Sequence, residues 1–179
     1  MTGAKERLAT EVFGPLERSM TDQRRTEKAH AFETLIREYF DACNAADVDR
    51  IRSCFVDDAV HYFPPGTYGG PFRGAGVIAE KWKAAVENIG PYWTVDQVIV
   101  DPETDRAVIE WTHFKTKLGI VSRGDEWYVF DPASGRIREI RAYYASPSDP
   151  QLSRLEFGSF DYEARGYPVA ARGRATRPS

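Results

Sequence analysis

The hydrophobic positions in the first half of the chain recur at three- and four-residue steps, which predicts helices. The clearest run begins near Asp22, and its apolar side is formed by Ala29, Phe32, Ile36, Tyr39, Phe40 and Cys43. A short second helix is predicted within "NAADVDRIRSCFVDD" and a third within "VIAEKWKAAVENIG". Residues 4–20 also suit a short helix, which we expect to break at Gly14-Pro15 because proline removes a hydrogen bond from a helix interior.

The spacing changes to strict alternation after residue 90, which predicts strands. Four segments alternate in this way: "YWTVDQVIV", "RAVIEWTHFKTK", "GIVSRGDEWYVF" and "RIREIRAYYAS". Two of the turns between them, "DPETDR" and "DPASGR", begin with Asp-Pro and suit type I turns. An earlier strand, "AVHYF", stops at Pro64-Pro65-Gly66. Helices followed by a meander of hairpins predict an α+β fold, with helices packed on one face of an antiparallel sheet.

Composition and charge narrow the classes of protein to which the chain can belong. Its 179 residues include 24 basic and 27 acidic side chains, with a net charge of −3, which argues against a nucleic-acid-binding protein. No segment approaches the roughly 20 apolar residues that span a bilayer, and the N-terminus lacks the apolar core of a signal peptide. Cys43 and Cys54 give no disulfide or zinc spacing. We therefore expect a cytoplasmic protein without nucleic-acid or membrane partners.

The chain divides into one domain and two flanking segments. We expect an N-terminal helical extension over residues 1–21, the α+β domain over 22–146, and a C-terminal packing segment with a basic tail over 147–179. The segment "LEFGSFDYEARGYP" has too many aromatic residues for a disordered region. We expect it to pack on the domain or on a partner subunit through Leu155, Phe157, Phe160, Tyr162 and Tyr167.

The segment "EYFDACNAADVDRIRSCFVDDAVHYFPPG" resembles the opening of the NTF2-like superfamily, in its SnoaL-like and ketosteroid isomerase-like branches. The shared features are a helix, "NAAD", a short helix, "F-x-DDA", a strand and Pro-Gly, and "EWYVFDPASGRIREIRAYY" resembles the last two strands. The resemblance covers about residues 25–146. It implies a cone-shaped, curved sheet packed against three helices, a deep pocket, and a homodimer formed through the sheet. The superfamily includes isomerases, lyases such as dehydratases, hydrolases and proteins that only bind, so fold alone does not settle function.

The catalytic pattern of the ketosteroid isomerases carries over unevenly. Their oxyanion-stabilising tyrosine falls on Tyr39, and their second acid falls near Glu126. Their aspartate base falls on Phe63, whose side chain cannot accept a proton. This departure argues against steroid isomerisation by that mechanism.

Glu126 is the first candidate for chemistry. Alternation places Glu126, Tyr128 and Phe130 on one face of a strand and Trp127 on the other. If the face with Glu126 is turned inward, desolvation disfavours the charged carboxylate and suits it to acid–base catalysis or to donating a hydrogen bond. If Trp127 faces the core instead, Glu126 is a solvated surface charge.

Three further residues are candidates for catalysis beside Glu126. Tyr39 could donate its hydroxyl to a substrate oxygen, or it could be a core tyrosine bonded to the backbone. His61 shares a strand face with Phe63, and His113 shares one with Trp111. Either histidine could transfer protons near neutral pH, and either could only pack or face water.

An apolar pocket would be lined by some of the many aromatic residues. The predicted substrate-binding side chains are Phe63, Trp82, Trp111, Tyr128, Phe130 and Tyr144. The loop "GTYGGPFRGAG" lacks the residues of a phosphate-binding loop. It is either a plain crossover or a lid that presents Tyr68, Phe72 and Arg73, with Arg73 holding a substrate carboxylate.

These residues predict a cofactor-independent enzyme that performs acid–base chemistry on a small, apolar, oxygenated molecule. Dehydration, isomerisation, cyclisation and hydrolysis all remain open. The alternatives are a binding module of the same fold and a purely structural dimer. No metal site is predicted, although His61, His113 and Glu126 from three strands could converge on an ion.

Overall fold

The computed structural model describes residues 3–144, 158–161 and 164. Three helices and five strands follow one another in the order that the hydrophobic periods predict, and a further strand, β2, has only two residues. The elements are α1 Gly3–Asn44, α2 Val48–Ser53, β1 Phe55–Tyr62, β2 Phe72–Arg73, α3 Ala75–Ile89, β3 Pro91–Asp101, β4 Arg106–Lys115, β5 Ile120–Phe130 and β6 Ile137–Tyr143.

Helix α1 runs without interruption through Gly14 and Pro15, so the predicted break is wrong. A proline removes one backbone hydrogen bond from a helix, and here the helix continues across that loss. The extension and the first helix of the domain therefore form one element of 42 residues. The domain boundary at residue 21 stays a prediction, since it is not marked by an end of secondary structure.

The strands form one mixed sheet in the order β2-β1-β6-β5-β4-β3. All neighbouring pairs are antiparallel except β1 and β6, which are parallel. The prediction of a fully antiparallel sheet is therefore wrong at this pair. Strands β3 to β6 follow one another through short hairpin turns, which force antiparallel pairing. Strand β1 is separated from them along the chain by β2 and α3, so no hairpin turn sets its direction against β6.

The sheet is curved, and its backbone irregularities lie where the pairing shifts register. One shift falls between Val95 and Gln97 in β3, and another between Val129 and Phe130 in β5. An extra residue on one strand bends that strand and increases its local twist. The sheet does not close on itself, and the three helices cover its concave face. This is the α+β architecture expected from the sequence and from the NTF2-like resemblance.

The core lies between the helices and the concave face of the sheet. Its fully buried aliphatic side chains come from every layer: Ile36, Ile51, Ile78, Ile109, Ile137 and Ile140. Asn44 fastens the end of α1 to β3, because its amide donates to the carbonyl oxygen of Trp93 (2.9 Å) and accepts from the Trp93 amide (2.8 Å). Gly90 ends α3 in a left-handed conformation with φ of 59°.

The convex face of the sheet is partly covered by the C-terminal segment. Phe160 is buried there, edge-on to Tyr62 with ring centroids 5.0 Å apart. The guanidinium of Arg141 lies 5.8 Å from the ring of Trp127 and 5.9 Å from that of Phe160. The expected packing of this segment on the domain is thus seen at Phe160, whereas Leu155, Phe157, Tyr162 and Tyr167 lie outside the described residues.

Among the helices that the structure describes, none is both long and apolar enough to cross a membrane. The cytoplasmic location stays a prediction from the sequence.

Candidate functional site

A cavity of about 300 Å³ opens between the helices and the concave face of the sheet. Strands β4, β5 and β6 form one wall, α3 and the start of β3 form another, and the loop after β1 covers part of the opening. Aromatic residues are the largest group in the lining, which consists of Phe63, Gly66, Thr67, Tyr68, Trp82, Ile89, Trp93, Trp111, His113, Lys115, Leu118, Ser122, Glu126, Ala142 and Tyr144. A concave apolar site with a few polar groups is typical of small-molecule binding.

Strand alternation decides which side chains reach this cavity. Glu126, Tyr128 and Phe130 are buried on the concave side, whereas Trp127 is 43% exposed on the convex side. The predicted inward orientation of Glu126 is therefore observed. In β4 the same alternation brings Trp111, His113 and Lys115 to the cavity.

Gly124 makes room for one of the cavity walls. It pairs with Trp111 across β4 and β5, and the indole of Trp111 lies directly over it. A Cβ atom at residue 124 would lie 2.5 Å from an indole carbon and 2.6 Å from the carbonyl oxygen of Tyr143. Only glycine fits without displacing the ring or the backbone, so this residue sets the position of Trp111.

Glu126 is only 7% exposed and lines the cavity. The hydroxyl of Tyr128 donates to its Oε2 over 2.6 Å. Its other oxygen, Oε1, is 3.5 Å from Nε2 of His61. Among the described side chains, no lysine or arginine is within ion-pair distance of this carboxylate. Glu126 is thus an acid held by a phenol and a histidine, without a permanent cation.

His61 is fully buried behind the cavity wall. Its ring stacks on Phe63 at 4.2 Å and is tilted against Trp82 at 5.6 Å. Neither ring nitrogen has a hydrogen-bond partner within normal distance among the described residues. The carboxylate of Glu126 is the acidic group nearest to Nε2, so a small approach of the two side chains would let them share a proton.

His113 lines the cavity in its neutral form. Burial, together with the nearby ammonium of Lys115, lowers the pKa of His113 to about 4. Its ring stacks on Trp93 with centroids 4.6 Å apart. At neutral pH the imidazole is therefore a hydrogen-bonding group or a weak base, and its Nε2 has no partner among the described residues.

Tyr39 and Tyr128 are protonated hydrogen-bond donors. Burial raises the pKa of both phenols well above the ordinary value, and the negative charge of Glu126 raises it further. The hydroxyl of Tyr39 interacts with the side chains of Cys43 and Trp82, which are themselves buried. Tyr39 does not reach the cavity surface.

The candidate residues divide into a set at the cavity surface and a set behind it. Six of the ten line the cavity: Glu126, His113, Phe63, Trp82, Trp111 and Tyr144. His61 and Tyr128 touch the cavity only through Glu126. Phe130 stacks on Phe32 at 3.9 Å and belongs to the core. Direct contact of Tyr39, Tyr128 or Phe130 with a substrate is therefore not supported by their positions.

Of the three loop residues expected at the site, only Tyr68 lines the cavity. Tyr68 reaches the cavity, as a lid would require. Phe72 is buried in the core, and the guanidinium of Arg73 lies 5.9 Å from the ring of Tyr62, away from the cavity. Arg73 is thus not placed to hold a substrate carboxylate.

Sequence reasoning missed several lining residues. Trp93, Lys115, Leu118 and Ser122 line the cavity, and none of them is among the site residues predicted from the sequence. Lys115 is in phase with Trp111 and His113, and Ser122 is in phase with Glu126. The strand alternation that identified Glu126 therefore also indicates that Lys115 and Ser122 lie on the face of the cavity.

No three His, Cys, Asp or Glu side chains in the described part of the chain are close enough together to hold a metal ion. His61 and Glu126 approach each other, but His113 is not part of that group. The structure thus gives no support to the three-residue ion site that the sequence left open.

The residues from 36 to 140 match the family model of the SnoaL-like domain, which is more than half of the chain. No curated protein matches the sequence.

A solved structure of high similarity comes from Methylobium petroleophilum PM1 and is a protein of unknown function with a cystatin-like fold. It is 55% identical, with a TM-score of 0.77, and the match covers 82% of this chain and 96% of that one. An NTF2-like protein of unknown function from Mesorhizobium loti is 20% identical, with a TM-score of 0.55, over 66% of this chain and 94% of that one. A proposed polyketide cyclase from Sinorhizobium meliloti is 22% identical, with a TM-score of 0.52, over 61% and 93%. The last two likenesses show the fold alone.

Proposed function

Because this chain belongs to the SnoaL-like domain family, within the NTF2-like superfamily, we propose that it is a cofactor-independent enzyme that moves protons on a small, largely apolar, oxygenated substrate. Dehydration, isomerisation, cyclisation and hydrolysis each require a proton to be removed or delivered at a defined atom. The fold similarity to a proposed polyketide cyclase is compatible with this class of chemistry.

The observation that carries the proposal is the position of Glu126. Its carboxylate lines an aromatic-rich cavity, is almost inaccessible to water and has no lysine or arginine partner among the described residues. A carboxylate at the surface of an apolar cavity, with no cation beside it, can accept a proton directly from a bound molecule. Structural carboxylates with the same burial are normally paired with a cation.

The two oxygens of Glu126 have different neighbours, so we assign them different roles. Tyr128 holds Oε2, which leaves Oε1 for the substrate proton. His61 Nε2 lies 3.5 Å from Oε1, so after a small approach the imidazole could donate to the ionised acid or accept from the protonated one. Trp111 Nε1 and His113 Nε2 have no partners among the described residues, so they are available to donate to a substrate oxygen.

A generic proton-abstraction probe tests this assignment before the natural substrate is known. We expect the protein to accelerate the ring opening of 5-nitrobenzisoxazole, in which a base removes the C–H proton, the N–O bond breaks and a coloured phenolate forms. Glu126→Gln keeps the shape of the side chain and removes the base, so the acceleration should fall by about a hundredfold or more. The measurement is initial rate by absorbance, together with the melting temperature.

The matched control is Asp125→Asn, which makes the same charge change one residue earlier, on the exposed face of β5. It should keep the wild-type rate. A wild-type rate no higher than that of E126Q, or full activity in E126Q at an unchanged melting temperature, would overturn the role of Glu126.

The second candidate function is a binding module of the same fold. It is favoured by Phe63, which lines the cavity where the ketosteroid isomerase pattern has its aspartate base. In that case the cavity would bind apolar probes with equal affinity in the wild-type protein and in E126Q, and neither would accelerate the probe reaction.

We also propose that the protein is a homodimer formed through the convex face of the sheet. Four large apolar side chains are exposed on that face: Tyr92, Ile99, Phe114 and Trp127. Symmetric dimers commonly bury such patches.

A further inference from the structure

Lys115 is the only lysine or arginine among the residues that line the cavity. It lies at the rim, where the side chains are partly exposed, as are Leu118 and Tyr68 beside it. The buried Glu126 lines the same cavity further along the strands, at the level of Ile109 and six residues from that of Lys115. The cavity therefore has a positive group at its mouth and a negative group further along the strands.

The charge of Lys115 is directed at the site and is not neutralised nearby. Among the described residues, no carboxylate lies within ion-pair distance of its ammonium. The charge is felt by the neighbouring His113, where it adds to burial in lowering the pKa. Ser122 is paired with His113 across β4 and β5, and both line the cavity. An ammonium, a buried imidazole whose Nε2 has no partner among the described residues, and a hydroxyl thus line the part of the cavity that leads in from Lys115.

The strand register gives the separation between the two charged ends. Glu126 is paired with Ile109, and Lys115 lies six residues further along the same strand. At roughly 3.3 Å per residue, the backbone positions are about 20 Å apart along β4, and His113 is about 13 Å from the Glu126 level. The rings of Trp93, Trp111 and Tyr144 line the space between.

We propose that Lys115, with His113 and Ser122, forms an anion-binding subsite at the cavity mouth, and that the preferred ligand is a flat, elongated acid whose carboxylate lies at Lys115. The opposite end of such a molecule points towards Glu126; that this end is also the reacting end rests on the function proposed above. Glu126 reinforces the orientation, because a second carboxylate placed beside it would be repelled.

A pair of probes with the same ring system separates charge from shape. 2-Naphthoate carries the carboxylate, and 2-naphthamide is its neutral counterpart. Binding is measured by titration calorimetry and by quenching of tryptophan fluorescence at low ionic strength, because salt screens an interaction at a partly exposed site. We expect 2-naphthoate to bind about tenfold more tightly than 2-naphthamide, since a charge-assisted hydrogen bond is made only with the acid.

Lys115→Met keeps most of the aliphatic stem and removes the charge, so the preference for the acid should disappear. Lys115→Arg should keep it. The matched control is Lys117→Met, which removes the same charge two residues further along the chain. The Lys117 side chain donates to the carbonyl oxygen of Glu87 and does not line the cavity. K117M should keep the preference. Circular dichroism and melting temperature verify the fold of each variant.

Equal affinity of the wild type for the two probes, no binding of either, or an unchanged preference in K115M would each overturn the subsite. The outcome is independent of catalysis, because E126Q should still prefer the acid. If E126Q loses the probe reaction while K115M keeps the preference, the proposed function stands and the subsite is wrong. If E126Q is fully active while the preference depends on Lys115, the subsite stands and the proposed function is wrong.

Discussion

At the residue scale, the two acid–base candidates nearest to the substrate space differ in what holds them. The Glu126 carboxylate is fixed by the Tyr128 hydroxyl and approached by His61, so it has a defined geometry. His113 is fixed mainly by stacking on Trp93. A side chain held by packing alone keeps its hydrogen-bonding capacity for a ligand, whereas one held by a phenol has already used part of it.

The neutral state of His113 predicts a pH dependence of stability. Its native pKa is lowered from 6.5 to about 4 by burial and by Lys115. Between these values the unfolded chain binds more protons than the native protein, so stability is lost as the pH falls from 6.5 towards 4. The groups that face His113 are Trp93, Trp111, Lys115 and Ser122, and Lys115 is the only one that is charged there.

His113→Gln should therefore lose less stability than the wild type between pH 7 and pH 4.5, measured by urea unfolding at both values. His30→Gln, the same change at an exposed position on α1, should behave as the wild type does. An identical loss in H113Q and the wild type would show that His113 is not kept neutral by its surroundings.

At the scale of the elements, periodicity predicted the three helices and five of the six strands, with ends within a few residues. It missed β2, because a strand of two residues has no period, and it missed the parallel pairing of β1 with β6, because no turn encodes it. The helix break expected at Gly14-Pro15 followed from the local effect of proline on helix hydrogen bonding, but α1 continues through both residues. Register shifts in β3 and β5, which accompany the curvature, have no clear signature in the sequence.

The contact between α1 and β3 is another feature that the sequence did not reveal, and it supports a cavity wall. Asn44 makes two hydrogen bonds to the backbone of Trp93. Asn44→Ala should leave a partly buried backbone donor and acceptor without partners, and the free energy of unfolding should fall by about 1–3 kcal/mol. Because Trp93 lines the cavity, the affinity for flat apolar probes should fall as well.

Urea unfolding and probe titration measure the two effects of this substitution. Gln23→Ala is a suitable control, since Gln23 lies on the same helix and its hydrogen bond to Glu27 is exposed. It should change neither quantity appreciably. Wild-type stability in N44A would show that the two hydrogen bonds do not fasten α1 to the sheet.

At the scale of the whole molecule, the sheet has a concave side with the cavity and a convex side with exposed apolar residues. The alternation of Glu126 and Trp127 predicted two unlike faces, but it could not say which face was inward. The resemblance and the model both place Glu126 inside. The cavity itself could not be derived from the pattern, since its volume depends on curvature and on where helix α3 sits.

The convex face leads to a prediction about assembly. We expect the protein to be a dimer by light scattering after size-exclusion chromatography. Trp127→Glu places a charge on the proposed interface and should give a monomer. Val77→Glu makes the same change at an exposed apolar residue of α3 and should leave the dimer intact. A monomeric wild-type protein, or a dimer unaffected by W127E, would contradict an interface at Trp127.

The central claim is that Glu126 transfers protons to and from an oxygenated molecule in the cavity. Its most direct test is the exchange of the α-protons of 2-tetralone in deuterated buffer, followed by proton NMR, because the exchange requires only a base for the proton and a hydrogen-bond donor to the ketone oxygen. We predict that the wild type and D125N accelerate the exchange over buffer, and that E126Q does not. Equal exchange with E126Q and the wild type, or no acceleration by the wild type, would contradict the claim.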